Sequence, residues 1–222
     1  MHSYLKYNEK KISDFSDKNI ETHYTQGYIF GRIDKGIMNQ TRSVRINLEN
    51  FKFNSENRRI LKKTAEINMD CAPLPRADYH WSIGKMAKDF YETKFGKKTF
   101  SVFKIKEILT NAEKSNFNKL LIYKNQTDTI GYAVIYETEN IVHYSYPFYN
   151  LSYPNKNIGM SMMVRAVQYA QRNNKQYIYL GSAQRKSDTY KLQFQNLEWF
   201  DYDHKSWSPD LEKLKNILKN LM

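Results

Sequence analysis

The chain has 222 residues, 41% of them apolar and 15% aromatic, which is too apolar for a disordered protein and enough for one large domain or two small ones. No run approaches the roughly 20 apolar residues that span a bilayer, and the N-terminal stretch with Lys6, Glu9, Lys10, Lys11 and Asp14 lacks a signal-peptide core, so a cytoplasmic protein is expected. A single cysteine, Cys71, excludes an intramolecular disulfide and a cysteine-rich metal site, and five scattered histidines form no HExxH-like pair, so no metal is expected. The 35 Lys and Arg against 23 Asp and Glu leave a charge of +12, which suits a polyanionic partner and equally fits the lysine-heavy codon usage of an AT-rich genome.

Residues 1 to about 22 are polar with weak periodicity and read as a short lead-in. After Gly27-Tyr28-Ile29-Phe30-Gly31, the alternation Val44, Ile46, Leu48 predicts a strand with Arg45 and Asn47 on its opposite face. Ser55 reads as the cap of a helix that gathers Ile60, Leu61, Thr64, Ala65 and Ile67 on one side. Arg58, Arg59, Lys62 and Lys63 share its other, exposed side, which is either a solvated surface or a phosphate-backbone contact. Pro73 and Pro75 break the chain and mark either a long surface loop or a division into residues 1–75 and 76–222. Two core-facing helical stripes follow, Ile83, Met86, Ala87, Phe90 and Ile105, Ile108, Leu109, Ala112.

Lys119 to Tyr123, Ile130 to Tyr136 and Ile141 to Tyr146 then predict an antiparallel meander, with Asn125-Gln126-Thr127-Asp128 and Thr138-Glu139-Asn140 as its turns and Pro147 as its stop. The next stretch looks like a site. Asn157 is a candidate cap for a helix with Gly159, Met163, Ala166, Val167 and Ala170 inward, running to Arg172 and followed by an inner strand, Tyr177-Ile178-Tyr179-Leu180-Gly181. A helix N-terminus beside a strand end is the usual place for a phosphate or oxyanion. Leu197 to Tyr202 reads as a closing strand, and Ser208-Pro209-Asp210 opens a last helix with Leu211, Leu214, Ile217, Leu218 and Leu221 inward.

These elements make an α/β layer around one mixed sheet, an order that resembles the Gcn5-related N-acyltransferase fold. In that family a glycine-containing loop binds coenzyme A; Lys156-Asn157-Ile158-Gly159-Met160-Ser161 keeps one of its glycines and lacks the second, so coenzyme A is not expected and no cofactor is assigned. A more specific resemblance is carried by Gln40-Thr41-Arg42-Ser43-Val44-Arg45, Phe51, Phe53, Ser55 and the basic helix, then by Tyr146-x-Phe148-Tyr149, Gly159, Tyr177-Ile178-Tyr179-Leu180-Gly181 and Tyr190-Lys191-x-x-Phe194. Over roughly Tyr24 to Trp207 the chain resembles the arginyl-tRNA–protein transferases and their bacterial leucyl-transferring relatives. That resemblance implies an aminoacyltransferase of arginyl or leucyl type, with aminoacyl-tRNA as donor and the N-terminal amine of a protein or peptide as acceptor. The family usually carries cysteines around the segment matched by Gln40 to Ser43, and this chain has none there.

Aminoacyl transfer requires alignment of an amine with an activated ester and stabilisation of an oxyanion, without a protein nucleophile. The candidate catalytic residues are Tyr190, to return a proton to the departing ribose oxygen, Lys191, to hold a phosphate of the tRNA end, and Asp188, to bind a positively charged amino group. Each has a packing, solvation or turn-capping alternative. Tyr144, Tyr146, Gly159, Tyr179, Gly181, Ser182 and Gln184 are the candidate substrate-binding residues, with some tyrosines lining a pocket for the terminal adenine. Arg42, Arg45, Arg58, Arg59, Lys62 and Lys63 are the candidate tRNA contacts. An acyl-CoA N-acyltransferase and a tRNA-binding module without catalysis are the other two readings.

Overall fold

The computed structural model describes residues 5–126, 128–155 and 157–220, so the readings placed on Thr127, Lys156 and Leu221 lie outside the described residues. The first elements are β1 (Asn8–Lys11), α1 (Asp17–Thr25), β2 (Tyr28–Phe30), β3 (Ile37–Gln40), β4 (Ser43–Asn47), α2 (Ser55–Lys63) and β5 (Asn68–Pro73). Two helices, α3 (Trp81–Phe95) and α4 (Val102–Thr110), lead to the meander strands β6 (Lys119–Lys124), β7 (Thr129–Glu137) and β8 (Ile141–Tyr149). The chain continues through α5 (Ile158–Arg172), β9 (Tyr177–Ser182), a 3-10 helix (Lys186–Gln193), β10 (Leu197–Asp201), β11 (Ser206–Ser208) and α6 (Leu211–Lys219). This is the expected mixed α/β architecture, a mixed sheet flanked by helices. No helix among the described residues is long and apolar enough to cross a membrane.

Contacts divide the chain into two compact units, and neither is continuous in sequence. The first takes the stretch up to Ser55, Thr138–His143 and the chain from Ala170 onward; the second takes Glu56–Glu137 and Tyr144–Tyr169. A cut at residue 75 falls between β5 and α3, both within the second unit.

In the first unit a small sheet has the order β1-β3-β2, and a larger one runs β11-β10-β4-β9 and on to the opening residues of β8. The stretch expected to be a lead-in is therefore structural. β1 pairs antiparallel with β3 from Asn8↔Gln40 to Lys11↔Ile37, and α1 buries Ile20 and Tyr24 completely. Periodicity misses this because β1 is polar on both faces and is held by backbone bonds, which leave no apolar stripe to read. β4 is an inner strand between β10 and β9, and Arg45 is buried together with Val44 and Ile46 because the Tyr177 and Trp207 rings cover its face. At the C-terminus, the Asp210 side chain caps α6 by accepting from Lys213 N–H, and Leu214 and Leu218 point inward.

The second unit holds the remainder of β8, then β7, β6 and β5, with α2, α3, α4 and most of α5. Here β8 runs on through Pro147 to Tyr149, two residues past the point where proline was expected to end it. The regular pleat is already interrupted at Tyr146, whose φ is +41°, and the Pro147 carbonyl accepts a bond of 3.1 Å from the Tyr91 hydroxyl. Met162, Met163, Val164, Ala166 and Val167 of α5 are buried, and the Tyr123 hydroxyl donates to the Met162 carbonyl at 2.9 Å. Ser55 is the first residue of α2; Ile60, Thr64 and Ile67 are buried as expected, while Ala65, and Ala112 beyond α4, are exposed.

Gly131 on β7 has no room for a side chain: a Cβ there would lie 2.8 Å from Tyr149 Cβ and 2.9 Å from the Phe148 carbonyl oxygen. Those neighbours are backbone or near-backbone atoms of a paired strand. Gly131→Ala is expected to lower stability by roughly 1–3 kcal/mol, read as a drop in the urea midpoint; an unchanged midpoint would show that β8 yields at no cost.

Candidate functional site

The candidate site lies in the first unit, where β9 ends and the chain turns into the 3-10 helix. β9 pairs antiparallel with β4, from Asn47↔Tyr177 to Ser43↔Ser182, and parallel with β8 from Ile141↔Tyr177 to His143↔Tyr179. A register shift between Ser43 and Arg45 breaks the β4 ladder, as a bulge does. It brings Arg42 to Ala183: the Ala183 N–H donates to the Arg42 carbonyl at 2.9 Å, and Arg42 Nη1 donates to the Ala183 carbonyl at 3.2 Å.

At the strand's end Gly181 adopts φ +78°, a turn that side-chain-bearing residues resist. Lys191, from the 3-10 helix, reaches back to this turn. It is buried, and its Nζ donates to the Ser182 carbonyl at 2.7 Å. Burial pushes its ammonium below the ordinary lysine value of 10.5, with Asp188 pulling the other way and Arg185 adding to the drop. Asp188 itself accepts from the backbone N–H groups of Gln184 at 2.8 Å and Arg185 at 2.9 Å, so its carboxylate shapes the turn that presents Lys191. Tyr190 is 45% exposed, with its ring centroid 5.9 Å from Lys191 Nζ.

A polar network lies on the same turn. The Ser182 hydroxyl meets Thr41 Oγ1 at 2.7 Å, and Gln184 Nε2 donates to Ser182 Oγ at 2.9 Å and to Thr41 Oγ1 at 3.2 Å. Thr41 lies within the Gln40–Arg45 segment that carries the resemblance but has no role assigned there; the pairing of segments 141 residues apart gives it its place here.

Other predicted residues take structural positions. Tyr179 is 1% exposed, its ring is edge-on to Tyr24 and Trp207, and burial pushes its hydroxyl up to about 12. Arg45, expected at a tRNA surface, is buried with its guanidinium 4.0 Å from the ring centroids of both Tyr177 and Trp207. Its Nε donates to Glu198 at 2.7 Å. Arg42 is also buried. His143 is fully packed, its Nδ1 lies 2.9 Å from the Tyr24 hydroxyl, and burial, with Lys191 adding, pushes it down to about 3, so it is neutral at physiological pH.

The remaining predicted residues belong to the second unit. Tyr144 is buried, and Tyr146 packs edge-on to Phe100 and Phe117. Gly159, in the first turn of α5, has the Tyr149 ring against it, with a Cβ position 3.4 Å from Tyr149 Cε1. Arg58, Arg59, Lys62 and Lys63 are exposed on α2 as expected, and Arg59 is paired with Glu56 one turn earlier.

The profile of the family described as "Arginine-tRNA-protein transferase, C terminus" matches residues 78–201. The chain belongs to this family. The matched stretch includes β9, the Gly181 turn and the Tyr190-Lys191 pair. No curated protein matches the chain. Among solved structures, L-PGS from Bacillus licheniformis is similar at 12% identity and a TM-score of 0.47, covering 74% of this chain and 49% of that one, so the chain spans about half its length. A Gcn5-related glucosamine N-acetyltransferase region of a fungal multi-domain beta-N-acetylglucosaminidase is similar at 7% identity and a TM-score of 0.48, covering 85% of this chain and 23% of that one. A ribosomal-protein-alanine N-acetyltransferase from Brucella melitensis biovar Abortus is similar at 13% identity and a TM-score of 0.38, covering 64% and 94%.

The buried ammonium makes a stability signature. Because the folded value of Lys191 lies below 10.5, the unfolded chain binds more protons between those two values, and unfolding free energy rises with pH across that window. Lys191→Met should flatten this rise in the window just below 10.5; tyrosines titrate over the same range in both proteins, so Lys191 is read from the difference between the two profiles. Identical pH profiles from urea unfolding of the two proteins would show that Lys191 stays solvated.

Proposed function

We propose that the chain is an aminoacyl-tRNA-dependent transferase that moves an amino acid from charged tRNA onto the amine of a protein or peptide N-terminus. The observation that carries the reading is the family match, which runs through the only turn where a buried ammonium and an exposed tyrosine adjoin in sequence among the candidate residues. In this reading the α-amine of the acceptor attacks the ester carbon of the aminoacyl-tRNA, and the ribose oxygen leaves. Tyr190, exposed at the rim, relays one proton: its hydroxyl donates to the leaving ribose oxygen and takes up in return the proton that the attacking amine sheds as the peptide bond forms. Lys191 supplies positive charge beneath it, where a phosphate or a developing oxyanion meets a poorly solvated ammonium. An ammonium has three donors, and one is spent on Ser182, which fixes the direction of the others. Asp188 positions the turn through its two backbone bonds.

The exposed cations of α2 are the proposed tRNA backbone contact, since Arg42 and Arg45 are buried. Acyl-CoA is the less suited donor, because the Tyr149 ring rests against Gly159 where a pyrophosphate would need close backbone approach.

Incubation with total tRNA charged with labelled amino acids, and with peptides differing in their first residue, should move label into peptide. The Tyr190→Phe, Lys191→Ala double variant should transfer at least ~100-fold more slowly. No label from any charged tRNA, with transfer from acetyl-CoA instead, would overturn the assignment. In a separate binding measurement, replacing Arg58, Arg59, Lys62 and Lys63 with Ala should weaken tRNA binding and make its dependence on log salt shallower by about 2 to 4. Unchanged affinity and slope would remove α2 from the tRNA surface.

A further inference from the structure

The backbone of Leu5 is held by side chains in the way a sheet holds a strand. Its N–H donates to Gln184 Oε1 at 2.9 Å, while its carbonyl accepts from Gln184 Nε2 at 3.2 Å and from Thr41 Oγ1 at 2.9 Å. A primary amide has the same donor and acceptor pair as a peptide group, so Gln184 reads Leu5 as a neighbouring strand would, without reference to its side chain. The reading groups are tied to one another: with Leu5 in place Thr41 is fully buried and Ser182 is 9% exposed, and both are bonded to Gln184 and to each other. Two residues on, Tyr7 N–H donates to the Gln40 carbonyl at 2.9 Å, and β1 then continues along the edge of β3.

The segment that lies against these groups is held mainly by its backbone. Lys6, Asn8, Glu9 and Lys11 are exposed, and its side-chain contacts include the stack of Tyr7 on Tyr202 at 4.2 Å and Lys10 Nζ 4.7 Å from the Tyr28 ring centroid. A polar strand added to a sheet edge by main-chain bonds is a mode of binding that another extended peptide can adopt. The reading groups also adjoin the reaction site proposed above, since Ser182 offers its hydroxyl to Gln184 and its carbonyl to Lys191.

We propose that Thr41, Ser182 and Gln184 form a site that reads the backbone of an extended peptide, and that Leu5–Tyr7 occupies it as a displaceable strap. This rests on the reading of the protein as a transferase with a peptide acceptor: the acceptor takes the strap's place and delivers its amine next to Lys191. An intramolecular strand competes at an effective concentration in the millimolar range, so the strap sets a threshold for acceptor binding.

The test needs no tRNA. A fluorescein-labelled peptide of sequence Leu-Lys-Tyr-Asn-Glu-Lys-Lys, identical to residues 5–11, is titrated with the full chain and binding is followed by anisotropy. Leu5→Pro removes the N–H that Gln184 Oε1 accepts, and Tyr7→Ala removes the stack on Tyr202. Each should bind the labelled peptide on the order of 10-fold tighter than the parent, unlabelled peptides with free N-termini should displace it, and adding Gln184→Leu should erase the gain. Equal affinity in the parent and in both folded variants, or a bound peptide that no other peptide displaces, would overturn the proposal. Failure of transfer with every charged tRNA, while peptide binding behaves as described, would instead count against the transferase reading alone.

Discussion

The site depends on one strand being paired on both sides. β9 is antiparallel to β4 and parallel to the opening of β8, and that double pairing brings residues near 41, 143 and 182 into one neighbourhood. No local preference of β9 does this by itself. The bulge between Ser43 and Arg45 adds a second condition: it lets Arg45 lie opposite Tyr179 while Ser43 lies opposite Ser182, so the core and the polar turn are both satisfied by a single strand.

The two buried cations beside β9 are handled differently. Arg45 loses its water to the faces of Tyr177 and Trp207 and to the carboxylate of Glu198, and a delocalised guanidinium with a bonded carboxylate suits such a place. Trp207 is fixed in turn by donating to the Thr25 carbonyl at 2.8 Å. Lys191 has a carbonyl at 2.7 Å where Arg45 has a carboxylate, and burial lowers its affinity for a proton. Arg45 is a structural rivet on this comparison, whereas Lys191 keeps the kind of under-compensated charge that clusters where ligands bind.

Much of this was legible beforehand, for physical reasons. The meander, α5, β9 and α6 each bury an apolar stripe, and periodicity reports such stripes. β1 and β11 were not visible because they are short, polar and held by backbone bonds. Tyr190 and Lys191 stand in a motif that carries the resemblance, Ser182 and Gln184 stand just past the Tyr177–Gly181 motif as candidates only, and Asp188 carries the turn-capping alternative that its two backbone bonds fit. Arg45 departs from the expected tRNA surface because alternation assumes one wet face, and here the Tyr177 and Trp207 rings cover that face of β4. The roles of Thr41, Leu5 and Tyr24 are not readable along the chain, since their bonds close loops of well over a hundred residues to Ser182, Gln184 and His143.

The two glycines singled out by the sequence have opposite surroundings, and the difference bears on what kind of donor the fold accepts. At Gly159 the missing side chain is answered by Tyr149, whose ring atoms lie 3.4 to 3.8 Å from where a Cβ would be, so the helix start is packed by the chain itself. At Gly181 the only atom within 4 Å is Lys191 Nζ, and the positive φ is needed for the turn. A helix N-terminus closed by an aromatic ring offers little to a pyrophosphate, while a left-handed turn with an ammonium at its edge offers a place for one developing negative charge. Under the transferase reading proposed above, the developing charge is therefore placed at the end of β9 and not at the start of α5.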